Sequence, residues 1–160
     1  MNRLVRAMTS PLVKNVITLG LLLAFVGSAW LVVDVGVGES IDVITGDTGN
    51  ITAATTTTFG GDVGFADRIV MIGSWLTLLT GLGAIGTSAN NPRAFNQILR
   101  YYPLILGLIG FIEFSDVVSD MVNGTYDFDT PSDGENALAV FITGSVIAGA
   151  ASALGMNRRL

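Results

Sequence analysis

Three acidic side chains follow an apolar stretch in the second half of the chain. Glu113, Asp116 and Asp120 come directly after the uncharged run 101–112, at spacings of three and four residues. In an α-helix this spacing places all three carboxyl groups on one face. In a membrane-crossing helix, Glu113 would lie about 18 Å beyond Tyr101, in the outer half of the bilayer. A charge there costs about 3 kcal/mol, so the side chain must face other helices, a wet cavity or a partner.

Two further charged residues could join this acidic row. Asp34 is placed near the outer end of the first apolar run, and Arg68 is the lone basic residue on the same side. If Arg68 pairs with Asp116 or Asp120, the charges form a fixed ion pair with a structural role. If it does not, the row offers a cation or proton pathway. Both interpretations remain open at this stage.

Most other chemistry is excluded by composition. The chain has no Cys and no His, which removes the usual thiolate and imidazole metal ligands, thiol redox chemistry and His-based proton transfer. The Ser residues have no neighbouring Lys, so we expect no enzyme, no cofactor and no metal site. A formal net charge of -5 also argues against a nucleic-acid partner.

The elements that must position these residues are membrane helices. Half of the 160 residues are apolar and only 13% are charged, and a run of about 20 apolar residues spans the hydrocarbon core. We predict a single all-α membrane domain, an up-down bundle of four transmembrane helices at about 15–37, 68–89, 101–122 and 136–157. The first run also resembles a signal peptide, but it is longer than the usual apolar core of one.

The basic residues predict the orientation. Seven of the eight fall before the first helix, in the loop 90–100 or after the fourth helix, which places these parts and both termini inside. Inside means the cytoplasm or the interior of a virion. The charged residues of the loops 38–67 and 123–135 are all acidic. These two loops are then outside.

The first outer loop is long enough to hold structure of its own. Residues 41–45, a Gly-Asp-Thr-Gly-Asn turn and residues 51–58 predict a small β-hairpin. Two sequons, at Asn50 and Asn123, both fall on the outer side, where N-glycosylation is possible.

Small residues recur every four positions on the first and fourth predicted helices. Such rows let helix backbones approach closely in lipid. An adjoining row on the fourth helix predicts that this helix packs against two neighbours. The principal helix-packing residues are Gly20, Ala24, Ser28, Gly144, Ala148 and Ser152.

Composition also suggests a habitat. The chain has one Lys against seven Arg and ten Asp against three Glu. In this bias, and in its size and topology, it resembles the small multi-helix membrane proteins of haloarchaea and of their pleomorphic viruses. The resemblance implies a high-salt exterior, in which acidic surfaces keep proteins soluble.

Two functions are consistent with these features. The first is a structural or assembly protein of an archaeal virus envelope or cell envelope, which packs laterally as a homo-oligomer or with other envelope proteins. The alternative is a cation or proton channel or transporter subunit that uses Glu113, Asp116 and Asp120. A chain with four helices would need copies of itself to build a pore, with Glu113 repeated as a ring.

Overall fold

The computed structural model describes residues 11–45, 64–87, 92–124 and 133–154, with side chains at 15–45, 64–83, 101–124 and 133–154. These residues form five α-helices and no β-strand. The helices are α1 (Pro11–Val35), α2 (Val37–Thr45), α3 (Phe65–Thr87), α4 (Pro92–Val122) and α5 (Asp133–Ala153). The count exceeds the four predicted, because the short α2 lies where an outer loop was expected.

The four long helices pack as antiparallel neighbours. Helix α5 lies between α1 and α4, and glycines set the close approach on both sides. A Cβ atom at Gly20 would lie 2.6 Å from the backbone nitrogen of Ala148, and one at Gly107 would lie 2.5 Å from the Cα atom of Gly149. Helix α3 closes the ring, since Gly81 approaches the ring of Phe25 on α1.

Three helices in the described part of the chain are long and apolar enough to cross a membrane. They cover Asn15–Val35, Phe65–Gly83 and Asp133–Ala153, which indicates a membrane protein. The fourth predicted crossing falls in α4, which is 31 residues long but is not one of the three. Its apolar stretch is short because Glu113, Asp116 and Asp120 occupy its C-terminal half.

The distribution of side chains also suits a lipid environment. Large apolar residues such as Leu79, Leu108 and Phe111 are about 60% exposed, whereas the interior faces of α5 are lined largely by Gly, Ala and Ser. In water, large apolar side chains are normally inside. Lipid removes that preference, and small residues then serve close helix contact.

The predicted β-hairpin is wrong in its first strand. Residues 41–45 belong to helix α2, and residues 51–58 lie outside the described part of the chain. Gly36 adopts a positive φ of 99° and interrupts the helical conformation between α1 and α2. Helix α2 then buries Ser40 and Val43, which are three residues apart and share a face, against α3. The Nε1–H group of Trp75 donates to Ser40 Oγ at 2.9 Å.

Candidate cation site between α3 and α4

The register between α3 and α4 is set by contacts near the middle of both helices. Gly73 leaves room for Ile109, whose Cγ2 atom would lie 2.9 Å from a Cβ atom at that glycine. Further along α3, Thr77 Oγ1 and Tyr102 Oη are 2.6 Å apart and hydrogen-bonded. Because the helices are antiparallel, this register brings the first turn of α3 beside the C-terminal half of α4.

Three carboxyl groups meet at that point. Asp67 from α3 and Glu113 and Asp116 from α4 each place one oxygen within 4.8 Å of the others. We call these three residues the carboxylate cluster. Asp67 is 5% exposed and Glu113 is 2% exposed, whereas Asp116 is exposed at the surface. The cluster therefore has a buried part and an accessible edge.

Asp67 has a structural role within its own helix. The backbone N–H of Gly64 donates to Asp67 Oδ2 at 2.9 Å. This is the half of a capping box in which the third helical residue reaches back to the N-cap. A carboxylate also suits the positive end of the helix dipole. These contacts explain the orientation of Asp67, but not why two more carboxyl groups lie beside it.

Glu113 lacks a comparable explanation. Its Oε2 atom is buried and has no hydrogen-bond partner in the part of the chain that the structure describes. Among the described residues, Asp67, Asp116 and Asp120 repel a negative charge on Glu113. At an effective dielectric constant near 20, the repulsion between ionised Asp67 and Glu113 at this separation is about 3 kcal/mol. The cluster therefore requires a proton or a cation for charge balance.

The other predicted acidic-site residues are not members of this cluster. Arg68 is exposed in the first turn of α3, and Asp34 is half-buried near the end of α1. Asp120 is exposed one turn beyond Asp116. Asp67 was not among the predicted site residues. It is the residue of α3 that joins Glu113 and Asp116 in the cluster.

Further polar groups follow along α3 toward its C-terminal end. Ser74 is seven residues, or about 10 Å, beyond Asp67 on the same helix face. Its Oγ atom is fully buried and has no hydrogen-bond partner. Thr77 follows, donating to the carbonyl of Gly73 at 2.7 Å and contacting Tyr102. We call Ser74, Thr77 and Tyr102 the polar row.

The predicted helix-packing residues lie between α1 and α5. A Cβ atom at Gly144 would clash with the backbone nitrogen of Ala24 and lie 2.6 Å from the carbonyl of Gly20. Ala148 and Ser152 are buried further along α5. Ser28 is buried and donates to the carbonyl of Ala24 at 2.7 Å.

The two predicted glycosylation sites differ in what the structure describes. Asn123 is exposed in the turn after α4, where its backbone N–H donates to the carbonyl of Ser119 at 2.9 Å. Asn50 lies outside the described residues.

Fold and site together define a helical membrane protein with a buried cluster of carboxyl groups between two of its helices. Comparisons with protein-family models, curated proteins and solved structures found no match to this chain.

Proposed function

We propose that this chain is an integral membrane protein that carries a cation or a proton across the bilayer by way of the carboxylate cluster. The observation that carries the proposal is the burial of Glu113. Its Oε2 atom has no hydrogen-bond partner, and its neighbours in the cluster are two further carboxyl groups. Ionisable groups at such positions in membrane helices typically mark ion or proton pathways.

The proposal requires α4 to cross the membrane, and its neighbours support this. Helix α4 packs against α3 where Gly73 meets Ile109, and against α5 where Gly107 meets Gly149. Both neighbours are long and apolar enough to cross. A helix packed along the middle of two crossing helices shares their depth. Four crossings would put both termini on the same side of the membrane, and the basic residues predict that this side is the inside.

The route begins on the outer side, where Asp116 is exposed. Glu113 lies one turn further in and is buried, so it provides the first site away from water. The polar row extends the route toward the inner side through Ser74, Thr77 and Tyr102. Hydroxyl groups can both donate and accept hydrogen bonds, so this row suits a proton or a partly hydrated cation.

Assembly of an archaeal envelope is the second candidate. The predicted packing rows face each other inside the chain, so a contact between copies would have to use another surface. The outward face of α5 offers one, because three small residues and one valine are exposed there: Ala139, Thr143, Val146 and Ala150. Small residues on this face would allow a close helix contact in lipid. The haloarchaeal or viral origin remains a prediction from composition.

Reconstitution into liposomes tests the transport proposal. We expect the wild-type protein to pass protons or cations under an imposed gradient, followed with an entrapped pH dye or ion-sensitive dye. Glu113→Gln should lower the flux to that of protein-free vesicles, because the negative site is lost. Tyr102→Phe should reduce it, because the hydroxyl contact to Thr77 is removed.

Asp42→Asn provides the matched control. It removes one negative charge from α2 on the same proposed side of the membrane, at a residue that is not part of the cluster, and should leave the flux unchanged. No flux by the wild-type protein for protons, Na⁺, K⁺ or Ca²⁺ would refute the proposal. Equal flux in wild-type and Glu113→Gln vesicles would refute the role of the cluster.

A further inference from the structure

We infer that the carboxylate cluster of Asp67, Glu113 and Asp116 binds a divalent metal ion of the calcium class, taken up from the outer side. This inference deepens the proposed function, on which it rests for the transported species. The experiment below measures metal binding and not flux, so that this inference and the proposed function can fail separately.

The spacing of the oxygens suits a single hard cation. Calcium binds oxygen ligands at about 2.3 to 2.6 Å, so two oxygens on the same ion are at most about 5 Å apart. The three cluster oxygens lie within 4.8 Å of one another. They come from two helices, so an ion bound here would join the start of α3 to the outer half of α4.

The chemistry of the donors selects the class of ion. All three ligands are carboxylates, and the chain contains neither Cys nor His. Hard oxygen ligands favour Ca²⁺ or Mn²⁺ over Zn²⁺ and Cu²⁺, which prefer nitrogen and sulfur. Mg²⁺ demands stricter octahedral geometry and usually keeps several waters. A partly buried cluster suits the larger and more adaptable ion.

The charge of the site favours two positive charges over one. Three carboxylates carry three negative charges when ionised, and a fourth carboxyl group, Asp120, also repels a charge on Glu113. A divalent ion offsets two of these charges at once, whereas Na⁺ or K⁺ offsets one. This difference gives the site selectivity for a divalent ion in a medium rich in monovalent salt.

A second observation is independent of the clustering of acidic residues. Only 2% of the Glu113 surface is exposed. Its Oε2 atom has no hydrogen-bond partner among the described residues. Buried carboxylate oxygens are normally satisfied by donors. One oxygen of Glu113 lies in the cluster, and the carboxyl group has a buried oxygen with no partner among the described residues. This is the state expected of a metal ligand before its ion binds.

Access and rigidity complete the site. Asp116 is exposed, so an ion can reach the cluster from outside without passing through the apolar core. The hydrogen bond from the backbone of Gly64 holds the Asp67 carboxylate in place. The site therefore combines one fixed ligand, one buried ligand and one ligand at the entrance.

Binding of Mn²⁺ to the purified protein in detergent, measured by electron paramagnetic resonance, tests the inference. We expect one tightly bound Mn²⁺ per chain, displaced by excess Ca²⁺ but retained when NaCl is added in large excess. Glu113→Gln and Asp116→Asn should each weaken binding by about tenfold or more, since loss even of an outer-shell partner commonly costs that much. Asp42→Asn should bind as the wild type does.

Helix content measured by circular dichroism accompanies each variant. Asp116 is exposed, so Asp116→Asn keeps the test decisive even if Glu113→Gln does not fold. The inference is overturned if wild-type protein binds no more Mn²⁺ than folded Asp116→Asn, or if Asp42→Asn loses binding equally. Flux without binding of a divalent ion would contradict this inference but not the proposed function. Binding without flux would support the metal site and refute transport.

Discussion

Glu113 combines near-complete burial with an oxygen that has no hydrogen-bond partner. Each property is costly in a protein interior, and here two further carboxyl groups increase the cost. A residue under selection for stability alone would be better replaced by glutamine or leucine at this position. A carboxyl group at position 113 is therefore better explained by binding of an ion or a proton than by a contribution to the stability of the fold.

Two variants of Asp67 can separate its helix-capping role from its contribution to the negative charge of the cluster. Asp67→Asn keeps an oxygen that can accept from the Gly64 N–H, while it removes one negative charge. Asp67→Ala removes both. In the presence of a chelator, we expect Asp67→Asn to unfold at or above the wild-type temperature. Asp67→Ala should be less stable than Asp67→Asn by about 1 kcal/mol, the usual contribution of a helix cap.

Thermal unfolding in detergent, followed by circular dichroism, measures both variants. An equal loss of stability in the two would mean that the negative charge itself, rather than the cap, stabilises the start of α3. That result would contradict repulsion within the cluster.

The sequence predicted part of this site. The spacing of Glu113, Asp116 and Asp120 identified the acidic face of α4 because it depends only on helix periodicity. Asp67 was missed because its position depends on the pairing of two helices. The signal was nevertheless present, since a short connection centred near residue 90 places positions 67 and 113 at equal distances from it along an antiparallel pair.

At the scale of helices, glycines decide how closely α1 and α5 pack. Gly144 lies against the backbone of α1, where a Cβ atom would be 2.6 Å from the carbonyl of Gly20. We expect Gly144→Ala to destabilise the fold by about 1 to 3 kcal/mol, because the helices must separate to admit the methyl group. Thermal unfolding in detergent measures this loss.

Gly83→Ala is the matched control, because a Cβ atom at Gly83 would meet nothing within 4 Å. It should leave stability unchanged or raise it by up to about 1 kcal/mol, through the better helix propensity of alanine. If Gly144→Ala were as stable as the wild type, the close packing of α1 on α5 would be wrong.

Helix α2 shows where sequence patterns fail. Residues 41–45 alternate in character over a few positions, which is equally compatible with a strand and with a short amphipathic helix. The burial of Ser40 and Val43 against α3 decides for the helix. That contact depends on Trp75, which lies 35 residues further along the chain. Local periodicity could not reveal it.

At the scale of the whole molecule, large apolar side chains on the exterior and small residues on the buried faces of α5 indicate a protein built for lipid. Composition predicted the membrane class, because it depends on total apolar content rather than on contacts. It could not establish whether α4 crosses. Of the carboxyl groups that shorten the apolar stretch of α4, Glu113 is buried, whereas Asp116 and Asp120 are exposed.

The crossing of α4 is the claim on which both the depth of Glu113 and the transport route depend. The chain has no Cys, so single cysteines can be introduced and labelled with a membrane-impermeant thiol reagent added from outside. We expect Thr56→Cys and Asp129→Cys to be labelled and Asn96→Cys to be labelled only after the membrane is permeabilised. Labelling of position 96 in intact membranes, or protection of position 129, would contradict the crossing of α4.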